Sequence, residues 1–371
     1  MKNIIVIYGG KSVEHDISIL TAIQTIKNIN KDKYNVIPVY QTRYNKFISP
    51  KNYLAPKEYA NTIKKFKKVK FNFGESSITL IGSSKKTLKI DCAINCCHGN
   101  NGEDGTITAL MNLCNIPLTS CSILASSACM DKIIMKDIFK ANNIPCVDYI
   151  GITQADYINN PQETISQIIK MLDYPVIVKP SNLGSSIGIE KATNQQELED
   201  ALDIAFYYDS RVIVEKCLID FKEINISCLG NDDCELSELE QPTNWKDFLN
   251  FKDKYQNKDI NSKIFNPNLS NQVKKQIQDL AQKVFKIFDL SGVIRIDFMV
   301  KDDNVYVNEI NTIPGSLAYY LWKSKYEFFQ LIDKLIELAI QKYNFQNMHK
   351  YTFNSNVLLE YKENSICKYA K

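Results

Sequence analysis

Residues 293–316, VIRIDFMVKDDNVYVNEINTIPGS, constrain the fold more tightly than any other stretch of this 371-residue chain. Two runs of alternating character flank a polar turn over 301–304, which is the pattern of a β-hairpin. Side chains of a strand point alternately to opposite faces, so Arg295 and Asp297 share one face while Ile294, Ile296 and Phe298 share the other. By the same rule Glu309 and Asn311 share a face of the second strand, and a turn centred near Asp303 makes the two polar faces coincide. Two carboxylates, an amide oxygen and a guanidinium then meet beside Pro314 and Gly315, which end the strand and leave backbone bare. Hard oxygen ligands of this kind suit Mg²⁺, which takes one or two protein carboxylates and completes its shell with water and phosphate. The same alternation also suits a solvated hairpin face with a surface ion pair.

The rest of the chain reads as an ordinary globular protein of two or three domains, with 44% hydrophobic and 23% charged residues. Its charges nearly cancel at +3, and the one dense lysine run, KKFKK over 64–68, suits a solvated helix face, so neither nucleic acid nor an acidic membrane is expected as a partner. The opening NIIVIY is short, runs into Gly9 and Gly10, and reads as a strand, not as a signal peptide. Eleven cysteines without a secretion signal imply reduced thiols and a cytoplasmic location. Cys92, Cys96, Cys97 and His98 are dense enough to raise zinc, but no second pair completes a familiar ligand spacing, and buried apolar thiols fit better.

Strand, glycine turn and helix recur twice near the start. The first strand opens through GGKSVEHDISILTA into a helix patterned by Ile17, Leu20 and Ile23, with Glu14 and His15 in the turn. IDCAINCCHGNNGEDGTITALMNL repeats the unit, bringing His98, Glu103 and Asp104 among glycines to the carboxyl end of a strand, where crevices of open α/β sheets lie. An acidic helix start with turn glycines has the same appearance. Then come a helix over 126–143, two strands flanking the Gly/Ser loop of VIVKPSNLGSSIGIEKA, a helix capped by Asn194 and Glu197, and two strands in RVIVEKCLIDFKEINISCLG. Backbone N–H groups and hydroxyls over 181–188 could wrap a polyphosphate, with Lys179 as the nearby positive charge, although neither GxxxxGK[ST] nor GxGxxG is present. The polar stretch before the amphipathic helix over 270–288 exceeds a plain connector, which makes 245–263 a candidate lid. A last helix is expected over 328–343.

In this order and spacing, GGKSVEHDIS, HGNNGEDG, MDKIIMK, VIVKPSNLGSSIG, VIVEKCL, KEINISCLGN, KDKY, RIDFM and NEINTIPG resemble the D-alanine:D-alanine ligase family of the ATP-grasp superfamily. The resemblance implies an α/β fold, α+β in its ATP-grasp part, with three domains: an N-terminal open parallel α/β domain over 1–120, ATP-grasp subdomains over 121–211 and 212–345, and a tail over 346–371. It makes Lys132 and Lys179 the phosphate-binding lysines, puts Ser185 and Ser186 in the loop over the phosphates, and assigns Glu215, Lys216, Leu218 and Glu223 to the adenosine of ATP. Asp297, Glu309 and Asn311 become ligands of two Mg²⁺ (or Mn²⁺) ions. Glu14 would bind the ammonium of the first D-alanine and, with Ser185 and Tyr255, hold the loop closed. Arg295 and the N–H of Gly315 would stabilise the tetrahedral intermediate, Lys254 would reach the transferred phosphate, and His98 and Tyr320 join Glu14 on the substrate side.

The implied activity is ATP-dependent joining of two D-alanines through an acyl phosphate, for peptidoglycan precursors, by a homodimer. PGSLAYYLW departs from the family, however, placing Leu317 and Tyr320 where a Thr and an acceptor-gripping Ser are usual. A ligase with another acceptor, such as D-serine or a hydroxy acid, is the alternative, followed by a non-catalytic nucleotide-binding protein.

Overall fold

The computed structural model describes residues 1–50, 66–243 and 262–355, and within them three sheets organise the chain. The first contains β1 (Lys2–Gly9), β2 (Tyr34–Gln41), β3 (Phe47–Ser49), β4 (Lys67–Asn72), β5 (Ser77–Ile81), β6 (Lys85–Lys89) and β7 (Cys92–Asn95), in the order β6-β5-β4-β3-β2-β1-β7. The expected parallel sheet is its β2-β1-β7 part, where β1 runs parallel to both neighbours. The lysine-rich stretch after it adds an antiparallel meander, in which β2–β3, β4–β5 and β5–β6 reverse through connections too short for a parallel crossover.

The helix His15–Asn28 joins β1 to β2, but it buries a different face from the one its apolar spacing suggests. Leu20 is 46% exposed, whereas Ile19, Ala22 and Ile26 are buried with Ser18, Thr21 and Thr25. The polar members of that face have partners: Ser18 Oγ donates to the Cys96 carbonyl at 2.6 Å, and Thr25 Oγ1 to that of Thr21. Beneath it, Ile4, Val6 and Ile94 share a core with Trp322, Leu331, Leu335 and Ile336, so the helix Phe328–Gln346 also packs against the first sheet. Cys92 and Cys96 are buried there and Cys97 among Ile5, Ile7 and Met111, and burial pushes the thiols of Cys92 and Cys96 up to about 12, which keeps them protonated.

In place of a single helix over 126–143 there are two, Ile123–Met130 and Lys132–Ala141. Asp131 leaves helical geometry at φ −84°, ψ 107° so that its carboxylate can accept from the backbone N–H groups of Ile133 and Ile134. The second sheet follows, with β8 (Tyr149–Thr153), β9 (Val176–Pro180), β10 (Glu190–Ala192) and β11 (Arg211–Lys216) in the antiparallel order β10-β9-β11-β8. Asn194 caps the helix Gln195–Tyr208 by accepting from the Glu197 N–H, and Glu197 reaches back to the N–H of Thr193.

The third sheet contains β12 (Lys222–Gly230), β13 (Cys234–Leu236), β14 (Glu240–Thr243), β15 (Ser262–Phe265), β16 (Gly292–Lys301) and β17 (Asn304–Asn311). Its order is β15-β14-β12-β16-β17, with β13 on β12. The helix Asn271–Ile287 covers its apolar face through Val273, Ile277, Leu280 and Val284. Among the described residues no helix is long and apolar enough to cross a membrane.

Candidate active site

The β16–β17 hairpin brings its polar groups together by a route the spacing did not show. Its turn lies on Asp302 and Asp303, both at positive φ, and pairs Lys301 with Asn304. That register alone would set Glu309 and Asn311 on the opposite face from Arg295 and Asp297. It slips by one residue between the Phe298–Val307 and Asp297–Glu309 pairs, so a β-bulge containing Asn308 restores the shared face. Glu309 therefore stands across from Asp297, and Asn311 across from Arg295. Arg295 donates to both oxygens of Asp297, at 2.6 Å each, and Asn311 Nδ2 lies 3.0 Å from Asp297 Oδ2. Although burial disfavours the guanidinium's charge, Asp297 outweighs it and the pKa of Arg295 rises further.

Facing the hairpin are Lys132 and the Gly/Ser loop after β9. Lys132 is nearly buried and donates to the Leu183 carbonyl at 2.6 Å. Burial lowers its pKa against the attraction of Glu309, Glu215 and Glu14. Ser185 and Ser186 adopt φ +55° and +56°, turning the loop back so that Ser185 Oγ donates to Glu14 Oε1. Glycine is needed beside this bond: a Cβ on Gly184 would lie 2.6 Å from Glu14 Oε2. On the other flank of Glu14, a Cβ on Gly99 would meet the same oxygen at 2.7 Å.

His98 is buried, with Nε2 2.9 Å from Thr21 Oγ1 and Nδ1 3.5 Å from Glu103 Oε1. Thr21 Oγ1 accepts in turn from the Ser316 N–H at 3.2 Å, which ties the first helix to the turn after Gly315. Burial, helped by Glu14 and Glu309, raises the pKa of Glu103. A Cβ on Gly315 would touch nothing within 4 Å, so that backbone is open. The following Ser316, Leu317 and Ala318 all take left-handed φ near 50°, a conformation that burial of Leu317 and Ala318 in the first core holds in place.

Glu14, His98, Lys132, Ser185, Arg295, Glu309, Asn311 and Gly315 thus line one cavity. Lys179 lies behind it, paired with Glu215 at 2.8 Å. The Glu215 carboxylate is buried between Lys179 and Lys136. Lys216 and Leu218 follow at the end of β11, Glu223 stands at the start of β12, and Ser186 is half-buried in the loop. Lys254 and Tyr255 lie outside the described residues.

Tyr320 reaches the site from the far side of Arg295, whose Nη1 lies 3.4 Å from the phenol oxygen. Lys263 Nζ stands 3.3 Å from the centroid of the same ring and 2.9 Å from the buried Glu240. Burial raises the Tyr320 pKa to about 12, so the phenol remains a donor. Lys263, Glu240, Lys136 and Asp131 were not singled out from the sequence, where an isolated lysine or acid has no periodic signature.

Comparison with known proteins shows the family. The sequence pattern of the D-ala D-ala ligase N-terminus matches residues 3–121, and that of the D-ala D-ala ligase C-terminus matches residues 138–337. The chain belongs to the D-alanine–D-alanine ligase family. It is 37% identical over 367 residues to D-alanine–D-alanine ligase of Thermosipho africanus, covering 96% of this chain and 98% of that one. It is likewise 37% identical over 359 residues to the enzyme of that name from Bacillus pumilus, covering 94% and 98%. The solved D-alanine–D-alanine ligase of Coxiella burnetii superposes with a TM-score of 0.80 at 27% identity, covering 94% of this chain and 96% of that one. VanG D-Ala:D-Ser ligase from Enterococcus faecalis, another family structure, matches at 0.77 and 27%, covering 91% and 99%.

Proposed function

We propose that this protein is an ATP-dependent ligase that joins two D-alanines into D-alanyl-D-alanine through an acyl-phosphate intermediate, for peptidoglycan precursors. The observation that carries the reading is the one cavity wall shared by Glu14, Lys132, Arg295 and Gly315. A carboxylate is a poor electrophile, so the γ-phosphoryl group of ATP is first transferred to the carboxylate of one D-alanine. The amine of the second D-alanine then adds to the carbonyl carbon and phosphate leaves, giving dipeptide, ADP and phosphate overall. Glu14 receives the ammonium of the first D-alanine, and its bond from Ser185 closes the Gly/Ser loop over the reaction. Lys132 and Lys179 hold phosphate oxygens. Arg295 and the Gly315 N–H face the oxyanion that develops when the amine adds, where oriented donors contribute most.

The donor set fits a hard divalent cation, because Asp297 and Glu309 stand opposite each other, Asn311 is beside them, and a guanidinium already rests on Asp297. Two Mg²⁺ (or Mn²⁺) ions held by Asp297, Glu309 and Asn311 through its oxygen would screen phosphate charge. The domain division at 120/121 and 211/212, the cytoplasmic location and the homodimer belong to the same reading; analytical ultracentrifugation checks the last.

Phosphate release from ATP across a panel of D- and L-amino acids, with product masses, tests the proposal. D-alanyl-D-alanine is the expected product, and absence of D-alanine-dependent release refutes it. A second reading, D-serine or another acceptor, is favoured by Tyr320 where a small hydroxyl is usual, and the same panel reports it.

A further inference from the structure

Lys136 has no part in the chemistry above, yet it is 0% exposed. It sits one turn after Lys132 on the helix Lys132–Ala141, and its only carboxylate partner among the described residues is Glu215. Its Nζ is 3.1 Å from Glu215 Oε1, while Glu215 Oε2 accepts from Lys179 at 2.8 Å. Neither Lys136 Nζ nor Glu215 Oε1 makes a well-directed hydrogen bond with any described group, so charge and not direction holds that contact. Burial opposes ionisation of Glu215, but the two lysines outweigh it and hold the carboxyl at about 2. Two lysines therefore share one acid that is charged at neutral pH. They differ in access: the Lys136 side chain is 1% exposed and the Lys179 side chain 12%, on the strand that runs into the Gly/Ser loop.

We propose that Lys136 is the standing counter-ion of Glu215, which leaves Lys179 free to exchange that carboxylate for the phosphates of a nucleotide. Lys136 is then a positioning residue, and the inference rests on the ATP-dependent reading above. Without Lys136, Lys179 would be the sole partner of a buried carboxylate, and its departure would strand that charge, which is strongly unfavourable. Phosphate binding weakens as a result, although Lys136 touches no nucleotide. Adenosine carries no phosphate and makes no demand on Lys179.

The test is displacement of a fluorescent ATP analogue from the full-length protein by ADP and by adenosine. Lys136→Met should weaken ADP about tenfold or more and adenosine less than about twofold. Lys136→Arg should stay near wild type, and Lys136→Met combined with Glu215→Gln should regain ADP affinity, because a neutral amide needs no counter-ion. Equal losses for ADP and adenosine, or no loss for either, overturn the inference. Should Lys136→Met fail to fold, the double variant decides alone: an ADP-to-adenosine affinity ratio near wild type supports the inference and a tenfold lower ratio overturns it. A wild-type protein that binds neither ligand refutes the ATP-dependent reading instead, and the inference with it.

Discussion

Replacing Asp131 by alanine should loosen Lys132 and Lys179, the two lysines proposed to hold phosphate, together, because one carboxylate ties their supporting elements to each other. Asp131 Oδ1 accepts from the N–H groups of Ile133 and Ile134 at 3.0 and 3.1 Å and from Ser181 Oγ at 2.8 Å. Its Oδ2 accepts from Arg211 and, at 3.3 Å, from Asn182. Loss of the helix cap costs about 1 kcal/mol. The Ser181 hydroxyl, fully buried, loses its acceptor at a cost of about 1–3 kcal/mol. Arg211 adds little, since its side chain is 37% exposed and can turn to water, and Asn182 keeps Asp209 at 3.2 Å. The total is about 2–4 kcal/mol, read as a lower urea midpoint. Lys132 follows Asp131 directly and Lys179 precedes Ser181 by two residues, so the KM for ATP should rise several-fold in the same variant. Asp131→Asn keeps the Oδ1 acceptor and should lose about 1 kcal/mol. A midpoint unchanged in Asp131→Ala, or a lowered midpoint with an unchanged KM for ATP, would refute this account of Asp131.

Glu309→Gln should abolish most Mg²⁺-dependent turnover while leaving the melting temperature near wild type, and retention of activity would remove Glu309 from the ligand set. Tyr320→Ser should change the KM for the acceptor and leave those for ATP and the first D-alanine nearly unchanged; parallel changes in all three would show that the phenol is not an acceptor-side group. Against the effect of burial, Lys136 and Lys179 hold the Glu215 carboxyl down to about 2 from an ordinary 4.5, so its stabilising contribution should be complete above pH 4.5 and be lost as pH falls from there to 2. The linked term is about 3 kcal/mol, and acid unfolding of wild type should be steeper in that window than that of Glu215→Gln. Identical slopes would mean that the carboxyl is not held by its lysines.

The sequence revealed the hairpin because alternation in RIDFM and NEIN is a local property of a strand. It misplaced the turn because register depends on where pairing closes, and a bulge containing Asn308 compensates for a turn on Asp302 and Asp303. The same limit explains the first helix. Ile17, Leu20 and Ile23 make an apolar row, but tertiary contact selects the row of Ile19, Ala22 and Ile26, whose polar neighbours Ser18 and Thr21 have partners across the sheet and in the site. The motif assigned Glu215 to the adenosine of ATP, but nothing local shows that Lys136 and Lys179 converge on its carboxylate. Lys263 escaped for a related reason: it comes from another strand and meets Tyr320 only in the folded sheet.

These contacts make ligand binding an exchange of partners and not the filling of an empty charge. Arg295 rests on Asp297, and Lys179 rests on Glu215, so neither cation can turn fully to a substrate without leaving a buried carboxylate behind. Each departure needs a replacement charge, because a buried ion without a partner is far costlier than one that changes partners. On the proposed reading, the replacement for Asp297 would arrive with the nucleotide, as a divalent cation that the facing Glu309 and Asn311 could share. Glu215 stands in the other sheet, buried beneath Lys179, and its replacement is already built into the helix as Lys136. That asymmetry separates the two halves of the site experimentally: Mg²⁺ concentration should govern the release of Arg295, whereas the release of Lys179 should depend on residue 136 at every Mg²⁺ concentration.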